Sequence, residues 1–243
     1  MTKTAAIVEA RMASTRLYGK VMLPILGKPM LQHMIERLRG SWLINDIIVA
    51  TTDTSGEVVN LCKRTDTGWW IGSENDVLAR VLAAARFFDV DVIVELTGDC
   101  PLIDPAMVDK VVADYHLGGA DFVSNSMQYT APRGMDVRVF STDALAKVAS
   151  LTDDPVDHEH VSLYMYEHPG EFRCRNVRTD HLEHAKDYRL TVDTVEDFNL
   201  VNAIFEELYP TNPEFTLFNV ISLLDHCPEL AQMNRNILQK AVR

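Results

Sequence analysis

Thr4-Ala5-Ala6-Ile7-Val8-Glu9-Ala10 runs directly into Arg11-Met12-Ala13-Ser14-Thr15-Arg16-Leu17-Tyr18-Gly19-Lys20, and the reading of this stretch decides the fold. The first part is a short apolar run of the kind that forms a buried parallel strand. The second part gathers three of the chain's 23 Lys and Arg residues immediately after it. In a doubly wound sheet, ligands lie beyond the carboxyl ends of the strands, and the first strand borders the crevice. Arg offers a two-pronged fork to phosphate oxygens, Lys a mobile point charge, and Ser and Thr hydroxyls add neutral donors. Gly19 lets the backbone approach closely. A solvated basic loop is the bland alternative. The net charge of -12 argues against it, because cations concentrated at a strand end against so acidic a background mark an anion site. A Walker loop is excluded, since Gly19-Lys20 is followed by Val21 and position 14 is serine rather than glycine. A dinucleotide fingerprint is absent as well. Phosphate is held here by side chains more than by a glycine cradle.

Outward from this stretch, strand and helix patterns alternate. Pro29–Arg39 has helical apolar spacing behind a first-turn proline, Asp46–Thr51 reads as a second buried strand, and Ser55–Lys63 as a short helix. Ser73-Glu74-Asn75-Asp76 has the form of a capping box opening a helix through Val77, Leu78, Val81 and Leu82. Asp91–Leu96 is a third strand and Pro105–Leu117 another helix. This order predicts an α/β fold, a Rossmann-like, doubly wound, mostly parallel sheet with helices on both faces. The second half is less regular. Asp121–Ser124, Asp136–Phe140, Arg173–Arg178 and Tyr188–Val192 are strand candidates, while Ser141–Ala149, Glu159–Glu167, Thr194–Leu208 and the tail from Phe215 read as helical. No repeat or low-complexity linker interrupts the chain. Its 243 residues are therefore read as one domain, with a phosphate-binding first half of about 1–120 and an elaborated second half of about 121–243.

Composition narrows the function. A sequence pI near 5 disfavours nucleic acid and anionic membranes as partners. No apolar run approaches the ~20 residues needed to cross a bilayer. Cys62, Cys100, Cys174 and Cys227 are scattered and form no C-x-x-C pair, which points to reduced thiols rather than a disulfide framework or zinc site. With no signal-peptide pattern at the N-terminus, the expected location is cytoplasmic.

The stretch A-R-x-x-S-T-R-L-x-G-K, followed by Leu23-Pro24 and Gly27-Lys28-Pro29-Met30, resembles the signature of the sugar cytidylyltransferases, which include CMP-Kdo and CMP-sialic acid synthetases. The nearest resemblance is to the spore-coat polysaccharide biosynthesis group. It extends through Gly72–Arg80 (GSENDVLAR), Thr97–Asp104 (TGDCPLID) and Leu190–Thr194 (LTVDT). It implies a sheet of the nucleotide-diphospho-sugar transferase type, with CTP as a ligand. Ala10, Arg11, Ser14, Arg16, Lys20 and Gly98 would bind its phosphates, and Ser73, Asp76 and Arg80 its base and ribose. Asp99 and Asp193 match the family's magnesium-binding acids, so Mg2+ is the implied cofactor. Family members usually carry proline at the position of Tyr18 and glutamine or proline at that of Glu9. Two destinations stay open for Glu9, an extra metal ligand or a direction away from the site.

The reaction implied is in-line transfer of CMP to an acidic sugar or sugar-phosphate-like acceptor with release of pyrophosphate, serving cell-surface polysaccharide synthesis. Arg11, Lys20 and Asp99 are the expected catalytic residues. No protein general base is obligatory, since a metal can lower the acceptor hydroxyl's pKa. An acidic acceptor needs cationic partners from the second half. Arg133 and Arg189 are expected to meet it, with Asn125 and His160 as further contacts; Arg138, Arg173, Arg175 and Gln128 are also available. Asp89-Val90-Asp91 mimics a D-x-D metal motif but lies at the entry of a strand, the wrong edge of a parallel sheet. His158-Glu159-His160 reads as a helix start, where alternate residues do not share a face. The resemblance also implies a homodimer. Two rival readings stay open: a UTP- or GTP-dependent hexose-1-phosphate nucleotidyltransferase, and a non-catalytic nucleotide-binding homologue.

Overall fold

The computed structural model describes residues 2–240. Alternating apolar residues in Thr4–Ala10 form β1, which sends Ala6, Val8 and Ala10 to one face and Ala5 and Ile7 to the other. Strands β4 (Asp46–Thr51) and β6 (Val92–Thr97) pair with it in parallel on either side, and β5 (Gly68–Ile71) adds to β4 at the edge. A two-strand hairpin, β2 (Pro24–Ile25) with β3 (Lys28–Pro29), precedes the first helix. Beyond β6 the sheet changes direction. β8 (Arg138–Ser141) runs antiparallel to both β6 and β7 (Phe122–Ser124), and β9 (Cys174–Asn176) pairs with β7 in parallel. The sheet order is β5-β4-β1-β6-β8-β7-β9, the mostly parallel doubly wound arrangement that the sequence predicts.

Helices α1 (Met30–Leu38), α2 (Glu57–Arg64), α4 (Pro105–His116), α8 (Val195–Leu208) and α9 (Leu217–His226) build the apolar layer on one face. Helices α3 (Val77–Phe87), α5 (Thr142–Leu151) and α7 (Leu163–Glu167) cover the other. Two short helices, α6 (Pro155–Glu159) and α10 (Pro228–Gln232), and 3-10 turns at Lys20–Met22 and Asp180–Ala185 accompany them.

Several local expectations are corrected. The edge strand β5 has no counterpart in the sequence reading, because four residues between polar turns are too short to display a period. Ser73 does not cap α3; Asp76 does, accepting from the Ala79 N–H, while the Ser73 hydroxyl accepts from the Asp76 N–H. The helix expected over Glu159–Glu167 is broken. His158 and Glu159 end α6, and Val161 sits at φ 46° before α7 begins. Tyr188–Val192 forms no strand but is tied by a single bridge between Arg189 and Arg133. That bridge requires Gly134, whose φ is 97° and where an added Cβ would stand 2.7 Å from the Leu190 carbonyl carbon.

Candidate active site

Beyond the carboxyl ends of β1 and β6 lies a cleft of about 980 Å3, at the upper end of the ~300–1,000 Å3 typical of small-molecule sites. Ala10, Arg11, Ser14, Arg16, Lys20, Gly98, Asp99 and Asp193 all line it, so the loop and both expected metal acids converge in space. Gly98 is required there. Its N–H donates to the Glu9 carbonyl at 2.8 Å, and an added Cβ would stand 2.9 Å from that oxygen.

At the centre is Lys20, drawn inward by the left-handed turn at Gly19 (φ 65°) and buried. Its ammonium donates to Asp99 Oδ2, Asp193 Oδ1 and the Val192 carbonyl, each at 2.8 Å. Burial opposes that charge, but Asp99 and Asp193 outweigh burial and raise the Lys20 pKa. For Asp99, burial pushes upward and Lys20 outweighs it, holding the carboxyl below its usual value. The Thr97 hydroxyl donates to Asp99 Oδ1 at 2.6 Å, fixing the second oxygen. The sequence reading gave Lys20 to the triphosphate and the leaving pyrophosphate; its three N–H groups here meet the acid pair and the backbone beside it.

Asp193 is held by two further cations. Arg16 lies 3.0 Å from Oδ1, and Arg189 donates to Oδ2 at 2.7 Å. Arg189 also donates to Asp197 Oδ1 at 2.9 Å, while Asn234 donates to the same oxygen. Arg189 was expected to meet the acceptor. It is buried behind Asp193 and braces it, because Asp193 and Asp197 are one helical turn apart at the mouth of α8 and share its guanidinium. Asn125 is corrected likewise. Its amide donates to the Met135 carbonyl and accepts from the Val137 N–H, clasping the turn before β8.

Arg133 and His160 do line the cleft, on its second-half wall. Of the other cations considered, Arg173 and Arg175 pair with Asp121 and Asp114, and Arg138 pairs with Glu95 at 3.1 Å. Gln128 donates its backbone N–H to Asn176 Oδ1. In the segment Ser73–Arg80, Val77 and Arg80 line the cleft, while the Asp76 carboxylate is occupied by the α3 cap and by His158 Nδ1 at 2.9 Å. His158 and His160 therefore go to different places.

Glu9 lines the cleft from the sheet face that it shares with Ile7, beside α3, and its Oε1 is enclosed without a hydrogen-bond partner. Burial, then the negative charge of Glu95, push its pKa up to about 8. A carboxyl so disposed is a poor anionic ligand. Among the described residues it joins no cluster of three metal-ligating side chains with Asp99 and Asp193. The sequence reading missed Asp136 and Tyr129 altogether. Asp136 was placed inside a strand candidate, and Tyr129 gave no signal. Both line the cleft, and the Tyr129 hydroxyl donates to Asp136 Oδ2 at 3.1 Å.

This architecture is shared with α/β nucleotidyltransferases. The chain superimposes on a CMP:2-keto-3-deoxy-manno-octonic acid synthetase solved with CTP at a TM-score of 0.65 and 20% identity, covering 85% of this chain and all of that one. The match to a cytidylyltransferase from Leptospira borgpetersenii has a TM-score of 0.90 and 32% identity over 99% of this chain and 100% of that one. The cytidylyltransferase profile matches residues 5–243. This chain belongs to the cytidylyltransferase family. It is similar to the spore coat polysaccharide biosynthesis protein SpsF of Bacillus subtilis, at 30% identity over 93% of this chain and 95% of that protein. It is also similar to the 3-deoxy-manno-octulosonate cytidylyltransferase of Geobacter metallireducens, at 34% identity over 68% of this chain and 74% of that protein. No helix among the described residues is long and apolar enough to cross a membrane.

Proposed function

We propose that this protein transfers CMP from CTP to an acidic sugar or sugar-phosphate-like acceptor and releases pyrophosphate. The observation that carries this reading is the convergence of Arg11, Ser14, Arg16 and Lys20 with Asp99 and Asp193 on one cleft. Arg11 is exposed and lines the cleft. Arg16 and Lys20 pair with the acid pair, so phosphate binding competes with Asp99 and Asp193 for the same cations. Arg133 supplies a positive charge on the acceptor side. Catalysis of this type is mostly positioning and charge neutralisation.

The donor set suits magnesium, which takes one or two carboxylates and completes its shell with phosphate and water oxygens. Asp99 Oδ2 and Asp193 Oδ1 face a common point, where Lys20 Nζ is 2.8 Å from each. These two residues would hold the ion. When bound, magnesium neutralises phosphate charge and makes the α-phosphorus more electrophilic. The chain's own residues do the rest: Thr97 orients Asp99 through its other oxygen, Arg189 orients Asp193 likewise, and Arg11, Arg16 and Lys20 receive the leaving pyrophosphate.

The test is pyrophosphate release with each of the four nucleoside triphosphates, magnesium, and a panel of acidic sugars and sugar phosphates. CTP is expected to be preferred. Preference for UTP or GTP with a hexose 1-phosphate overturns the CTP assignment, and nucleotide binding without turnover on the whole panel overturns the enzymatic one.

A further inference from the structure

Nucleotidyl transfer to a hydroxyl liberates a proton, and the acid pair is badly suited to take it. Asp99 and Asp193 are each held by cations, Lys20 on the first and Lys20, Arg16 and Arg189 on the second. The same cleft is lined by another carboxylate, that of Asp136. Tyr129 donates to its Oδ2 at 3.1 Å, and Oδ1 makes no hydrogen bond among the described residues. Resting on the function proposed above, we propose that Asp136 is the general base of the reaction. Its carboxylate accepts the proton of the attacking acceptor hydroxyl as the oxygen bonds to the α-phosphorus. The bond from the α-phosphorus to the bridging oxygen breaks, and pyrophosphate leaves with that electron pair.

Three features of the fold serve this role. The turn carrying Asp136 is locked to the segment carrying Asp193. Arg133 accepts the Leu190 N–H and donates to the Tyr188 carbonyl, and Gly134 packs on Leu190 where no side chain fits. Base and acid pair are therefore tied to one another through the backbone. The guanidinium of Arg133 lies 4.2 Å from the centre of the Tyr129 ring, fixing the hydroxyl that orients Asp136. Burial and then the charge of Asp136 push that hydroxyl up to about 12, so it stays a donor throughout the working range.

The charged and titratable groups facing Asp136 are Arg138, Tyr129, Arg133 and Asp99, with the Cys100 thiol nearby. Burial raises the Asp136 pKa, Arg138, Tyr129 and Arg133 oppose it, and Asp99 adds to the rise; the net shift is upward. Arg138 is mainly committed elsewhere, 3.1 Å from Glu95 and 4.0 Å from Asp136. A carboxylate of raised basicity is a better proton acceptor at neutral pH.

The experiment compares wild type, Asp136→Asn and Tyr129→Phe with CTP, magnesium and either 3-deoxy-manno-octulosonate or N-acetylneuraminate, from pH 4.5 to 9. Wild-type kcat should fall on the acid side as Asp136 protonates. Asp136→Asn should lose about 100-fold or more in kcat and lack that acid limb, while CTP binding by calorimetry is unchanged. Tyr129→Phe removes a hydrogen bond to the charged carboxylate, so its acid limb should move to higher pH. The inference is overturned if Asp136→Asn keeps its turnover or its acid limb. It is equally overturned if the limb of Tyr129→Phe stays in place or moves down, and this second variant decides should Asp136→Asn fail to fold. A wild-type enzyme that turns over no acceptor of the panel given above, these two included, refutes the transfer reading itself, which is a separate outcome.

Discussion

Three N–H groups leave the Lys20 ammonium, and Asp99, Asp193 and the Val192 carbonyl take all three. Removing that cation leaves two mostly buried carboxylates short of a partner. Lys20→Met should therefore destabilise the protein by about 3 kcal/mol, the low end for a broken buried pair, since Arg16 and Arg189 remain on Asp193. Chemical denaturation at pH 7 measures it, together with loss of nearly all turnover. The sign with pH follows from Asp99. Its folded pKa is depressed, so its contribution is complete above the ordinary carboxylate value and is lost as pH falls through the folded value. The penalty of Lys20→Met should accordingly shrink below about pH 4. Glu9 behaves in the opposite sense. Its folded pKa is raised, so the protein is progressively destabilised as pH climbs from the unfolded value of about 4.5 toward about 8. Glu9→Gln should be more stable than wild type at pH 8, on the order of 1–3 kcal/mol, with the gain vanishing near pH 4. Melting curves at the two pH values decide it. A gain that is independent of pH would show that Glu9 is ionised from the start.

At the scale of elements, a polar contact joins α3 to the segment from α5 to α6. Asp76 caps α3 and also receives His158 Nδ1, while His158 Nε2 faces the Thr152 carbonyl at 3.0 Å. Both ring nitrogens meet acceptors, so the backbone carbonyl first and Asp76 second raise the His158 pKa. A raised histidine contributes stability that is full below its unfolded pKa and is lost as pH rises through the folded one. Asp76→Ala should cost about 1–2 kcal/mol, cap and ion pair together, with the larger loss at pH 5.5 than at pH 8.5. Equal losses at both pH values would assign the whole effect to the cap. The Gly134 turn is a second junction of this kind. Gly134→Ala forces a side chain into positive φ and against Leu190, so a loss of at least about 1–3 kcal/mol is expected. Because the turn joins Asp136 to the Asp193 segment, kcat should fall further than CTP affinity.

For the whole molecule, net charge and symmetry are the open variables. A chain of net charge -12 repels its own copies except through a complementary face, and the homodimer suggested by the family resemblance has to overcome that. Sedimentation at about 0.05 and 0.5 M salt tests the idea: a dimer at both concentrations supports it, and a monomer at both refutes it. The same acidity sharpens the meaning of the cleft. Arg11, Arg16, Lys20 and Arg133 share one cavity in a protein otherwise dominated by Asp and Glu, so anions are attracted locally rather than globally.

The loop from Ala10 to Lys20 and the three central parallel strands β1, β4 and β6 were legible in sequence, because apolar period, charge clustering and strand-end position are local properties that the fold preserves. Thr4–Ala10 and Asp46–Thr51 appear as read, and Thr194 opens α8 with the capping box its neighbours encode. What only the tertiary structure decided is which charges cancel. Asn125 and Arg189 look like ligand-binding residues in a string of letters, yet one clasps a turn and the other braces Asp193. Glu9 proved to face Glu95 and α3 because alternation in β1 puts it on the Ile7 side of the sheet. Asp136 was hidden inside a strand candidate until the turn at Gly134 brought its carboxylate to the cleft. Period and propensity act between residues a few positions apart, whereas ion pairing depends on distances between residues as remote as Lys20 and Asp193, which exist only once the chain has folded.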